Sequence, residues 1–187
     1  MRSPKLTCYD SYIFDFDGTL ARLTVDWDGL RREVRSICYC AIDGEPLSLG
    51  AMVQRVVERD GRIGRAELAD VIRKYEQPGG EIRLARVYDR VVTFAKSQRC
   101  FFVVSNNLHS TVDKGLAALG LTPLCGGVVG FDDVLRSKPS DDGYRLLRRK
   151  CRIGGAAAYI GDSLVDEEFA TNAAIGFVPV EDICAGY

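Results

Sequence analysis

Five short apolar runs mark out the sequence: residues 12–14 (YIF), 100–104 (CFFVV), the pair Val128-Val129, 156–160 (AAAYI) and 177–180 (FVPV). Most are apolar on successive residues, with no polar alternation, so neither side could face water as a strand. Such runs suit strands buried between two layers of helix, as in a parallel sheet. The segments between them carry helix signals. Ser110-x-x-Asp113 and Ser163-x-x-Asp166 both resemble capping boxes closed by a short acid. Ser140-Asp141-Asp142 opens a segment that ends in Arg148-Arg149-Lys150, a charge order that complements the helix dipole. Gly154-Gly155 then stops it. Strand and helix in alternation predict an α/β fold with a doubly wound parallel sheet.

One region interrupts the alternation. From about residue 26 to 75 no strand run is present. Leu30, Val34, Ile37, Cys38 and Ala41 recur at helical spacing, as do Leu49, Met52, Val53 and Val56, then Leu68, Ile72 and Tyr75. Gly44-Glu45-Pro46, Asp60-Gly61 and 77–80 (QPGG) punctuate these pieces. The expectation is three inserted helices, then a return helix over 81–98 with Leu84, Tyr88, Val91 and Ala95 on one face. Residues 1–20 and 85–187 would form the α/β core, and residues 21–84 a small α-helical insertion.

Composition excludes several other classes. The chain has 187 residues, 47% hydrophobic, with 25 basic against 26 acidic side chains. That is too apolar and too evenly charged for a disordered chain, and it lacks the basic excess of a nucleic-acid binder. No run is long enough for a membrane helix, and residues 1–12 carry no apolar signal region, so a cytoplasmic location is expected. Seven cysteines without a C-x-x-C pair, and a single histidine, His109, argue against a disulfide framework or a structural zinc site. Buried thiols are expected instead. Nothing in the sequence sets an oligomeric state.

The informative polar residues fall where the strands end. Asp15-Phe16-Asp17-Gly18-Thr19 follows the first run and Ser105-Asn106-Asn107 the second; Lys138-Pro139 precedes a helix. Gly161-Asp162-Ser163, with Asp166 beyond, follows the fourth run. Parallel sheets place their sites at strand carboxyl ends. Several carboxylates converging there repel one another, and a Mg²⁺ ion held by oxygen ligands relieves that cost. Asp15 and Asp17, two apart on an extended chain, point the same way, so one can attack while the other handles a proton. Gly18 permits a sharp turn and close approach to an anion. His109 is expected at a helix start or on the surface, and Trp27 as a core anchor. Arg22 and Arg31-Arg32 are candidates for a second anionic group.

DFDGTL, SNN, SKP and GDSLVDEE, in this order over nearly the whole chain, resemble the four motifs of the haloacid dehalogenase superfamily. The helical insertion resembles the cap of its phosphoglycolate-phosphatase-like branch. The resemblance implies a Rossmann-like core and a Mg²⁺-dependent hydrolase of small phosphorylated metabolites. It implies Asp15 as nucleophile, forming an aspartyl-phosphate, and Asp17 as general acid and base. Ser105, the Asn106 backbone N–H and Lys138 would bind phosphate. Asp15, Asp162 and the backbone carbonyl of Asp17 would hold the metal, with Asp166, Gly18 and Thr19 in support. A phosphosugar mutase, which returns the phosphoryl group to sugar, and a catalytically silent binding protein are the alternatives. A dehalogenase is disfavoured because its branch does not use the acid at Asp17. A receiver domain would leave the insertion unexplained.

Overall fold

In the computed structural model the described residues are 9–38, 48–85, 89–151 and 153–185. The chain opens with β1 (Ser11–Phe14) and a two-residue strand, β2 (Arg22–Leu23). Two helices follow, α1 (Trp27–Cys38) and α2 (Leu49–Glu76), before the short return strand β3 (Leu84–Ala85). Then come α3 (Asp89–Ser97), β4 (Phe101–Val104), α4 (His109–Ala118), β5 (Cys125–Val129) and α5 (Asp142–Cys151). The chain continues through β6 (Ala157–Gly161), α6 (Leu164–Asn172), β7 (Gly176–Pro179) and α7 (Val180–Ala185). Five strands form one parallel sheet in the order β5-β4-β1-β6-β7. All five expected strands are present, so the fold is α/β with a doubly wound parallel sheet and an inserted helical pair.

Strand periodicity explains why both faces are covered. Tyr12, Phe14, Phe101, Val103, Ala158 and Ile160 project to one side. There they pack with Val91 and Ala95 of α3, Val112 and Leu116 of α4, and Ile183 of α7. Their neighbours Ile13, Phe102, Val104, Ala157 and Tyr159 project to the other side, against Tyr144 and Leu147 of α5 and Phe169 of α6. Successive residues thus serve two cores, and a run apolar at every position is what such a strand requires.

The insertion has its own core. Leu30, Val34 and Cys38 of α1 meet Met52, Val56, Leu68 and Ile72 of α2, with Trp27 packed against them. Leu108 and Phe131, from the loops after β4 and β5, join this cluster and seat the helices over the sheet's carboxyl edge. Within α2 two helical pieces meet at Gly61, where the sequence places a break; its φ of 56° and ψ of −127° are non-helical and suit only glycine. Ala41 and Gly44–Pro46 lie outside the described residues.

Three expectations are corrected. Residues 81–85 are not helical: Leu84 and Ala85 pair antiparallel with Leu23 and Arg22, so α3 starts only at Asp89. Ser110 does not cap α4, whose N-cap residue is Leu108; its Oγ accepts instead from Gln77 Nε2 at 2.7 Å. Among the described cysteines Cys38 alone is buried; Cys100 is exposed, and Cys125, Cys151 and Cys184 are half-buried. No helix among the described residues is long and apolar enough to cross a membrane.

Candidate active site

The central strand and its two neighbours end side by side, and each releases one loop into the same space. The N–H of Asp15 still bonds Ile160 O (2.9 Å) and that of Ser105 bonds Val129 O (3.0 Å), so both residues extend the ladder by one step. Their side chains are aimed by the sheet itself. Asp162 leaves β6 in the same way.

Lys138 comes from the loop beyond β5, and its Nζ is enclosed by three oxygens. It donates to Asp15 Oδ1 at 2.7 Å, Asp166 Oδ1 at 2.6 Å and Tyr159 Oη at 2.7 Å. The side chains of Lys138, Asp15 and Asp166 are all less than a tenth exposed. Burial works against the Lys138 charge, but the two carboxylates outweigh it and hold its pKa above the ordinary value. Burial also dominates at Asp15, raising its carboxyl to about 7 against the pull of Lys138. Tyr159 was not singled out by the sequence, where it reads as a core residue. Its hydroxyl accepts from Lys138 and donates to Val104 O at 2.7 Å, which fixes the ammonium from below.

Asp166 has two tasks. Oδ2 accepts from the Ser163 N–H (3.1 Å) and Oγ (2.6 Å), completing the capping box of α6, and Oδ1 meets Lys138. One carboxylate thus both caps α6 and bonds Lys138. Asp15, Asp162 and Asp166 each offer an oxygen within 4.8 Å of the others, a group able to hold a metal. The Asp17 carboxylate is not in that group; Oδ1 accepts from the Leu23 N–H at 2.7 Å. Burial raises the pKa of Asp17, opposed by that N–H, and burial and then Asp166 raise that of Asp162. At Gly18 a Cβ would stand 2.2 Å from Asp162 Oδ2, so only glycine lets this carboxylate lie against the first loop. Thr19 is fully buried, and its Oγ1 has no hydrogen-bond partner among the described residues.

The second and third loops are laced together. Asn106 is exposed, and its amide exchanges two bonds with the Lys138 backbone, Oδ1 accepting at 3.0 Å and Nδ2 donating at 3.3 Å. Ser105 is buried and donates to Asn107 Oδ1 at 2.9 Å. His109 stands at the start of α4, its Nδ1 2.5 Å from Asp133 Oδ2. Arg22 is exposed at the ribbon, and Arg31 is paired with Asp28 on the surface. Arg65 was not foreseen: from α2 it donates to Ser137 Oγ (2.6 Å) and Phe131 O, with its guanidinium over the Phe131 ring.

Residues 9–174 match the profile of the haloacid dehalogenase-like hydrolases. The chain belongs to that family. A relative named phosphoglycolate phosphatase, from Rhodobacter capsulatus, is 29% identical over 184 residues, covering 89% of this chain and 81% of its own. Two solved structures share the fold. A protein of Bacteroides fragilis described as a haloacid dehalogenase-like hydrolase superposes with a TM-score of 0.61 at 21% identity, covering 90% of this chain and 86% of that one. CbbY of Rhodobacter sphaeroides, solved in complex with xylulose-(1,5)-bisphosphate, gives 0.55 at 19% identity, covering 91% and 85%. This hydrolase therefore carries its family's parallel sheet.

Proposed function

We propose that this hydrolase is a Mg²⁺-dependent phosphatase acting on a small phosphomonoester through an aspartyl-phosphate on Asp15. The observation that carries the reading is the buried Asp15–Lys138–Asp166 set at the carboxyl end of the central strand, one loop away from Ser105. An idle lysine and two carboxylates would not be desolvated together, because burial costs each charge several kcal/mol (about 3–5 when one partner is lost).

The donor set fits a hard divalent cation. Three carboxylates crowd within 4.8 Å, Lys138 bonds two of them, and the remaining negative charge calls for an oxygen-ligated ion. Asp15 and Asp162, with the Asp17 carbonyl, would hold it, and Asp166 would support them. When bound, the ion offsets phosphoryl charge and orients the transferring group.

The chain's own residues supply the rest. An Asp15 oxygen attacks phosphorus in line, the P–O bond to the leaving group breaks, and Asp17 gives that alkoxide its proton. Water then attacks phosphorus and passes a proton to Asp17, releasing phosphate and restoring the Asp15 carboxylate. The raised pKa of Asp17, caused by burial, favours the protonated form that the first step needs. Ser105 and the Asn106 N–H would bind phosphoryl oxygens, and Lys138 neutralises nucleophile and phosphate. Gly18 and Thr19 shape the first loop.

Residues 21–84 would act as a cap on a core of residues 1–20 and 85–187, limiting entry to small substrates and excluding water. The Rhodobacter capsulatus relative makes 2-phosphoglycolate the first substrate to try. Free thiols at Cys100, Cys125, Cys151 and Cys184 suit a reducing cytoplasmic setting. A panel of metabolite phosphates assayed with Mg²⁺ tests the reading. Asp15→Asn should abolish phosphate release from every active substrate while the fold survives; full activity in that variant would refute the assignment.

A further inference from the structure

The residues assigned to the reaction all lie outside α1 and α2. One buried carboxylate reaches their loop from the insertion. Glu76, the last residue of α2, is 3% exposed. Its Oε1 accepts from Asn107 Nδ2 at 2.7 Å and its Oε2 from the Leu108 N–H at 3.0 Å. Asn107, itself buried, accepts through Oδ1 from the Ser105 hydroxyl at 2.9 Å. The Asn107 N–H also donates to Ser105 Oγ at 3.3 Å.

The polarity of this chain follows from its first member. Burial raises the Glu76 carboxyl to about 7, but both of its oxygens accept here, Oε1 from Asn107 and Oε2 from the Leu108 N–H, so the amide nitrogen of Asn107 faces Glu76 and its oxygen faces Ser105. The hydroxyl proton of Ser105 therefore has a defined direction, set by a group two links away. In the free site that proton points to Asn107; with a phosphate bound, the bond from the Asn107 N–H would keep the Ser105 oxygen in place while its proton turned to a phosphoryl oxygen. We infer that Glu76 is a positioning residue for phosphoryl transfer: through Asn107 it orients the Ser105 hydroxyl, and so makes the phosphate site depend on the seating of α2. The inference rests on the phosphatase reading and on the role of Ser105 in it.

The competing account is that Glu76 only caps α4 through Leu108. Glutamine separates the two. It presents one acceptor and one donor to a pocket where Asn107 Nδ2, the Leu108 N–H and the Thr111 hydroxyl all bond the carboxylate, so Asn107 loses its fixed orientation. Steady-state kinetics on p-nitrophenyl phosphate with Mg²⁺ would compare wild type, Glu76→Gln, Ser105→Ala and the double variant. Glu76→Gln should lose about tenfold or more in kcat/KM, chiefly through kcat. The double variant should then fall no more than about twofold below Ser105→Ala, because both changes act through one hydroxyl. Losses that multiply, or a Glu76→Gln enzyme with wild-type kinetics and only a lower melting temperature, overturn the inference. Should Glu76→Gln fail to fold, Asn107→Ala replaces it in the same cycle, and multiplying losses there count equally against it. A wild-type enzyme inactive on all phosphate esters removes the phosphatase reading together with this one. An active wild type with multiplying losses removes this one alone.

Discussion

Lys138 is held by two carboxylates that would repel each other without it. Replacing it by methionine keeps the stem but leaves Asp15 and Asp166 buried and unpaired. Without added divalent metal, Lys138→Met should lose about 3 kcal/mol or more in urea unfolding, and its phosphatase activity should vanish; unchanged stability would show that the lysine does not offset these charges. The single histidine offers a second test. The hydrogen bond to Asp133 raises the pKa of His109 above 6.5. A group raised in this way stabilises the fold fully below its unfolded pKa and ceases to do so as pH rises through the folded value. His109→Gln should therefore cost stability at pH 6 and almost none at pH 9. With about a third of the side chain exposed, the difference should stay below about 1 kcal/mol. An imidazole proton resonance titrating at or below 6.5 would contradict the expected sign.

At the scale of elements, α6 ties its own cap to Lys138 through Asp166. Ser163→Ala removes the N-cap oxygen and one of the groups that hold Asp166 Oδ2. The expected cost is about 1 kcal/mol in chemical unfolding, with a measurable fall in turnover because Asp166 also faces Lys138; a stability loss with intact turnover would separate cap from site. The capping box of α6 was legible in the sequence, and so were all five sheet strands. Strands buried on both faces are apolar at consecutive positions, and that signal needs no tertiary knowledge. Residues 81–85 depart from the helical expectation for a comparable reason. Leu84, Tyr88, Val91 and Ala95 do keep helical spacing, but Leu84 spends its apolar surface in a ribbon with Leu23, a pairing 61 positions away in the chain. Tyr159, Glu76 and Arg65 were invisible for a different reason. A tyrosine in an apolar strand and charges along a helix look the same whether they face solvent or another loop. Only the fold reveals which of them end beside Lys138, Asn107 and Ser137.

The whole molecule gathers negative charge at one edge while its net charge is only −1. Chelation by EDTA should therefore abolish turnover, and millimolar Mg²⁺ should raise the melting temperature of wild type in a concentration-dependent way. Full activity in EDTA would remove the metal from the account. The ribbon of β2 and β3 has a different kind of consequence. Arg22 lies opposite Ala85, Leu23 opposite Leu84, and the Thr24 N–H bonds Arg83 O at 2.9 Å. Outgoing and returning chain are thus bonded neighbours, and everything between them hangs from a single stem. A segment mounted in this way can be lengthened, trimmed or exchanged by one splice without altering a distance inside the sheet. Its replacement must re-create the grips that Glu76, Arg65 and Gln77 now provide and the apolar seat on Leu108 and Phe131. If that segment caps the site as proposed, what the enzyme recognises can be inherited separately from how it folds.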